Sequence, residues 1–208
     1  MIFFLGLGAS AQEGRPTQMW EFGVLGGGSI YSSDSVSGPA GSGSVGIKNG
    51  PAVGVFLGSN GRKFGGELRY DFLPGDLKLS SGGTNVGFSG MAHAIHYDAM
   101  YYFTPKGSRI RPFISGGAGV KVYQGTGSLV QNQPLGGLAL LTDTHEAAAL
   151  GTFGGGVKAK ISRRVMFRAE VQDYLTPFPR QVIAEGPGAK INGMLHDIVF
   201  TAGIGFVF

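Results

Sequence analysis

The sequence predicts an all-β fold: an eight-stranded antiparallel up-and-down transmembrane β-barrel. Three observations lead to it. Apolar and polar residues alternate with period two in eight segments of about ten residues. The connections between these segments alternate strictly between short and long. One face of each segment is apolar, while the other mixes charge with glycine. No run approaches the roughly 18 apolar residues of a membrane-spanning helix.

The first segment, Trp20 to Tyr31, puts Trp20, Phe22, Val24 and Ile30 on one face and Glu21 with glycines on the other. Pro51 to Ser59 alternates Val53, Val55 and Leu57 against Ala52, Gly54 and Phe56. Phe64 to Phe72 is the clearest: Glu67, Arg69 and Asp71 oppose Leu68, Tyr70 and Phe72, because successive side chains of a strand point to opposite sides. His93 to Phe103 sets Ile95, Tyr97, Tyr101 and Phe103 against His96, Asp98 and Met100. Pro112 to Tyr123 sets Ile114, Ala118, Val120 and Val122 against Ser115, Gly117, Gly119 and Lys121. Thr152 to Ile161 sets Phe153, Val157 and Ile161 against Lys158 and Lys160. In Arg164 to Tyr174, Arg168, Glu170 and Gln172 oppose Phe167, Ala169 and Val171. Ile198 to Phe208 closes the series, with Ile198, Phe200, Ala202, Ile204, Phe206 and Phe208 on one face.

Short polar turns fall at 60–63, 105–109 and 162–164, and long Gly/Ser/Pro-rich loops at 32–50, 73–92, 124–147 and 176–195. This alternation is that of an up-and-down barrel with both termini at one end.

The charges decide which face is inside. On lipid near the midplane a basic side chain costs about 2–4 kcal/mol, an acidic one less. Inside, opposite charges pair. Eight strands also leave room for little more than one layer of interior side chains, which suits a glycine-diluted face better than an aromatic one. The expected interior network is therefore Glu21, Glu67, Asp71, Asp98 and Glu170 against Arg69, Lys121, Lys158, Lys160 and Arg168, with His96 beside Asp98. Such a network plugs the barrel, or gates a narrow ion path if its pairs rearrange.

Composition narrows the function classes. Cysteine is absent, which excludes disulfides and thiolate metal sites, and four scattered histidines do not make a metal centre. The net charge of +4 comes from scattered basic residues that form no stripe, so nucleic acid is not an expected partner. Gly41-Ser-Gly-Ser-Val-Gly46 matches a phosphate-cradling pattern, but without the strand before it and helix after it that the chemistry needs. Residues 1–11 read as the remainder of a secretory signal: Ile2 to Leu7 is apolar, and Ala9-Ser10-Ala11 has the form of a cleavage site. Residues 12–208 then form a single barrel domain.

The chain resembles the small eight-stranded outer-membrane barrels of the OmpA-like and OmpX-like kind. Phe200-Thr-Ala-Gly-Ile-Gly-Phe-Val-Phe208 has apolar residues at alternate positions and a terminal phenylalanine. It resembles the signal that the barrel-assembly machinery reads, which assigns that role to Phe200, Ala202, Ile204, Phe206 and Phe208. Arg111-Pro-Phe-Ile-Ser-Gly-Gly-Ala-Gly119 resembles the family's fifth strand, and Arg168-Ala-Glu170 its seventh. The resemblance implies an integral protein of the bacterial outer membrane, with periplasmic termini and extracellular long loops. Outer-membrane lipid and lipopolysaccharide would surround it, and the loops would meet any outside partner. No cofactor is expected. Some barrels of this membrane are lipid A deacylases with a His-x-Ser pair; this sequence has none, so an enzyme is not expected.

Overall fold

The computed structural model describes residues 20–39, 41–127, 135–191 and 193–208; the expected signal at residues 1–11 lies outside them. Among the described residues there are fifteen strands and no helix. In chain order they are β1 (Trp20–Tyr31), β2 (Ser33–Gly38), β3 (Gly41–Ile47), β4 (Gly50–Ser59), β5 (Phe64–Pro74), β6 (Leu77–Ser81), β7 (Thr84–Phe88), β8 (Gly90–Tyr102), β9 (Ile110–Gly125), β10 (Ala139–Leu141), β11 (His145–Lys160), β12 (Val165–Pro177), β13 (Ile183–Glu185), β14 (Lys190–Ile191) and β15 (Met194–Val207).

Eight of them close a barrel in the order β1-β15-β12-β11-β9-β8-β5-β4. Each pairs antiparallel with its barrel neighbours, and β15 returns to β1 through Phe22 opposite Phe206 and Val24 opposite Ile204. This is the expected up-and-down topology. Trp20, Val24, Val53, Leu68, Ile95, Val120, Phe153, Val171 and Ile204 all point outward and are exposed, whereas Glu67, Arg69, Asp71, Lys121 and Arg168 point inward and are buried. Aromatics gather on the outer wall near the short turns. There Phe64 meets Tyr101 edge-on at 5.4 Å, and Tyr101 meets Phe103 at 5.3 Å. Nearer the long connections, His93 accepts or donates a hydrogen bond with Tyr70 at 2.8 Å and lies 5.2 Å from the Phe72 ring.

The long connections depart from the sequence reading. They are not loops throughout but form two further sheets, one of order β14-β2-β3-β6-β7 and one pairing β10 with β13. Together these sheets tie all four long connections to one another. Serine and glycine dominate β2 and β3 and suggest loop, yet the inward positions Val36, Val45, Ile47, Leu77 and Leu79 are apolar and buried. Gly82 and Gly83, at φ 56° and 84°, make the two-residue turn between β6 and β7, since a turn of this kind needs positive φ at both central residues. The segment that matched a phosphate-cradling pattern is strand β3 itself. Strand β11 also begins seven residues before the expected Thr152, because the run Ala147-Ala-Ala149 shows no alternation to read.

The inward glycines follow a rule of register. Gly54 stands opposite Asp71, Gly58 opposite Glu67, Gly117 opposite Asp98, Gly119 opposite His96, Gly156 opposite Glu170 and Gly203 opposite Arg168. Each of these polar side chains thus has a glycine beside it on one of its two neighbouring strands, while Arg69 and Lys158 face side chains on both. A Cβ added at Gly156 would lie 2.6 Å from Glu170 Cβ and 2.8 Å from its Cα, whereas one added at Gly151 would meet nothing within 4 Å. Gly156→Ala is therefore expected to destabilise the barrel by about 1–3 kcal/mol, and Gly151→Ala to leave it near wild type. Urea unfolding in detergent measures both, and equal stability of the two variants would contradict the register rule.

Candidate functional site

The inward side chains stack in levels along the barrel axis. Nearest the short turns, Arg111 donates to Asn60 Oδ1 and to the carbonyls of Gly61 and Arg62, both at 3.0 Å. Its guanidinium lies 3.9 Å over the Tyr102 ring. One level in, Lys158 Nζ donates to Glu21 Oε2 at 2.7 Å.

The middle levels form one connected network. Arg168 bridges Glu67 and Glu170. Arg69 pairs with the same Glu170 and donates from Nε to both Asp71 oxygens at 2.9 Å. Asp71 accepts from Tyr174 Oη at 2.6 Å and meets His96 Nε2 at 3.2 Å, while His96 Nδ1 meets Asp98 at 3.0 Å. Gln172 donates to Asp98 at 2.8 Å, and Thr152 donates to it as well. Thr201 donates to Glu170 at 3.1 Å. The chain of contacts thus crosses the lumen between strands far apart in sequence, as with Arg69 and Glu170. Arg168 also lies 4.8 Å from the Phe56 centroid, and rings fill what the ion pairs leave open.

Toward the long connections, Lys121 Nζ donates to Asp197 Oδ2 at 2.7 Å and to Tyr31 Oη at 3.4 Å. Tyr31, Tyr123 and Tyr174 surround it, with ring centroids 4.7, 5.1 and 5.7 Å from the ammonium. Beyond this level the lining turns mainly apolar, with Thr176, bonded to Tyr123 at 2.6 Å, as a buried polar exception. Leu73 and Leu195 at the barrel top, with Leu150 and Val199 lower on their strands beside Gly119 and Gln172, join Val36, Val45, Leu79, Leu138, Leu141 and Ile183 of the added sheets in one buried apolar cluster. The four long connections therefore form a packed cap.

Glu21, Glu67, Arg69, Asp71, His96, Asp98, Lys121, Lys158, Arg168 and Glu170 are all buried in the lumen. Lys160 is not: it is exposed at the last residue of β11, where the strand has already reached the short-turn mouth. Phe200, Ala202, Ile204, Phe206 and Phe208 form an outward row on the last strand. Charge alone did not reveal Asp197, Arg111, Tyr31, Tyr123, Gln172, Tyr174, Thr152 or Thr201. Their parity could have: Tyr123 falls two residues beyond Lys121, and Gln172 and Tyr174 continue the face of Arg168 and Glu170. The histidine–aspartate pair has the donor set of a general base, but His96 is 1% exposed and surrounded by the network, so a substrate has no path to it.

The lumen as described holds six carboxylates (Glu21, Glu67, Asp71, Asp98, Glu170, Asp197) against the cations Arg69, Arg111, Lys121, Lys158 and Arg168, with His96 between two of the acids. Removing one partner strands the other in a buried site. Lys121→Met is expected to cost about 3–5 kcal/mol, and Lys121→Met with Asp197→Leu to recover most of it. Urea unfolding checks this; a double variant as weak as the single would show that Lys121 acts through packing and not through its charge.

A family model described as outer membrane protein beta-barrel domain matches residues 1–208. No curated protein matches the chain. Among solved structures the chain is similar to Neisserial surface protein A, at 11% identity and a TM-score of 0.54, over 92% of this chain and 98% of that one. It is similar also to the outer membrane protein AlkL, determined by solid-state NMR in lipid bilayers, at 11% identity and a TM-score of 0.51, over 98% of this chain and 97% of that one. At such identities the likeness concerns the fold.

Proposed function

The chain belongs to the outer membrane protein β-barrel family, and from that premise we propose that it acts as a closed scaffold whose barrel anchors a folded, partner-binding cap outside the cell. The termini and short turns face the periplasm in this reading, and the four long connections face outward. Lipid and lipopolysaccharide surround the apolar wall. The assembly machinery reads the outward row that ends at Phe208. The protein is not an enzyme in this reading, since its acid–base groups are sealed in the lumen.

One observation carries the proposal. The polar network and the apolar cluster above it leave the barrel filled from Lys158 to the cap, with Arg69, Lys121, Lys158 and Arg168 at most 2% exposed. A filled lumen supports display over transport. The cap's outer face supports it too: Ser35, Ser44, Ser80 and Asn85 stand in register across four paired strands as an uncharged row of hydroxyls and an amide. Function on an outer surface held by a rigid scaffold is a common arrangement.

A second reading, a narrow gated ion path, draws on Glu21 Oε1, Glu67 Oε1 and Asp197 Oδ1. These buried carboxylate oxygens lack hydrogen-bond partners and lie at separate levels of the axis. Planar-bilayer recording of the refolded chain separates the two. The scaffold reading expects no discrete current steps from protein shown to be inserted and folded. Steps that change on charge reversal at Glu67 or Lys121 would replace it with the gated path.

A further inference from the structure

At the short-turn mouth a cavity of about 500 Å³ opens between the three turns. Arg62 lines it from the first turn, Lys106 and Ser108 from the second, and Lys160 and Arg163 at the third; Arg111 lies beneath them. Among the described residues no acidic one lines this cavity. Its cations come from three separate turns, so no single run in the sequence announces them.

Arg111 sets the mouth apart from the rest of the lumen. The other buried cations, Arg69, Lys121, Lys158 and Arg168, each have a carboxylate within ion-pair distance. Arg111 is 2% exposed, yet it forms no ion pair among the described residues. Its partners are the neutral oxygens of Asn60, Gly61 and Arg62 and the face of Tyr102. Its Nε–H is buried with no acceptor among the described residues. Glu21 acts on Arg111 only from beyond ion-pair distance, so the buried guanidinium is incompletely compensated, and a donor left unmade adds to that cost. Arg62, Lys106, Lys160 and Arg163 are likewise outside every ion pair among the described residues. Partial burial and the nearby Arg111 hold the Lys106 ammonium below its ordinary range.

Solvated rim charges would spread away from one another. Here five cations converge on a concavity whose floor holds an unsatisfied donor. We propose that this mouth is a binding site for a phosphate-bearing anion, with Arg111 as its buried anchor and Arg62, Lys106, Lys160 and Arg163 as its rim. Phosphate suits it because guanidinium forks and ammonium groups both match phosphate oxygens, and phosphate concentrates the most negative charge in so small a volume. The ligand is either a soluble phosphate compound or the headgroup of an anionic lipid in the adjoining leaflet.

The test uses the full refolded chain in a maltoside detergent, with inorganic pyrophosphate as probe. Calorimetry follows binding, and NMR follows the Arg111 Nε–H. The expected result is one site, weakened by salt, with a shifted Arg111 signal. Lys106→Gln with Arg163→Gln, both in turns, weakens binding at least about tenfold without disturbing the fold. Arg111→Gln abolishes it, and Lys190→Gln on the cap leaves it unchanged. A second arm places the protein in nanodiscs of phosphatidylglycerol or of phosphatidylcholine. If pyrophosphate fails but phosphatidylglycerol alone shifts the Arg111 signal, and the double variant loses that shift, the site is real and its source is lipid. An Arg111 signal that neither probe moves, or pyrophosphate binding that survives the double variant, overturns the proposal.

Discussion

Charge inside a sealed barrel must be neutralised where it stands, and the rest of this structure is arranged around that requirement. Water screens little there, and the wall is too thin to hide an unpaired ion. Most of the central acids are accordingly shared. Glu170 serves Arg168 and Arg69, and Asp71 serves Arg69, Tyr174 and His96. Such sharing makes the middle of the barrel one unit. A change at Arg69 is felt on β12 and β15 through Glu170 and Thr201, even though β5 pairs with neither strand.

The abundance of glycine follows from the same requirement. Eight strands enclose too narrow a space for a long side chain at every inward position. The register resolves this by placing glycine beside the large polar group on the neighbouring strand, as with Gly156 and Glu170 or Gly203 and Arg168. These glycines make room for charge, where a nucleotide loop would use them to bend. Outward, the wall needs only apolar side chains of any shape, which is why the two faces differ so strongly in composition.

The two ends of the barrel solve opposite problems. At the long-connection end the strands run on past the network and carry a cap whose apolar side seals the top. Among the described residues the short-turn end has no cap, and its polar groups end on Arg111, whose hydrogen-bond acceptors are all neutral. One end is thus completed by the chain itself. The other holds a surplus of positive charge that no carboxylate among the described residues lining it answers.

The sequence by itself determined the closed eight-stranded wall. Period two fixes which residues face inward, and charge on the membrane-facing side is costly, so three charges on one face of Glu67-Leu-Arg-Tyr-Asp71 read as inward. It also indicated most of the inner network, because a charge at an inward position has few other places to go. Tertiary structure alone decided the partners. Alternation says that Arg69 points inward but not that it meets Glu170 across the lumen, since that depends on strand register and tilt. It decided too that Lys160, on the right face, lies past the end of the sealed interior, and that Asp197 lies within it. The cap was concealed for a different reason: its strands are short and rich in serine and glycine, and their few apolar residues acquire meaning only when hairpins from separate loops come together over the barrel.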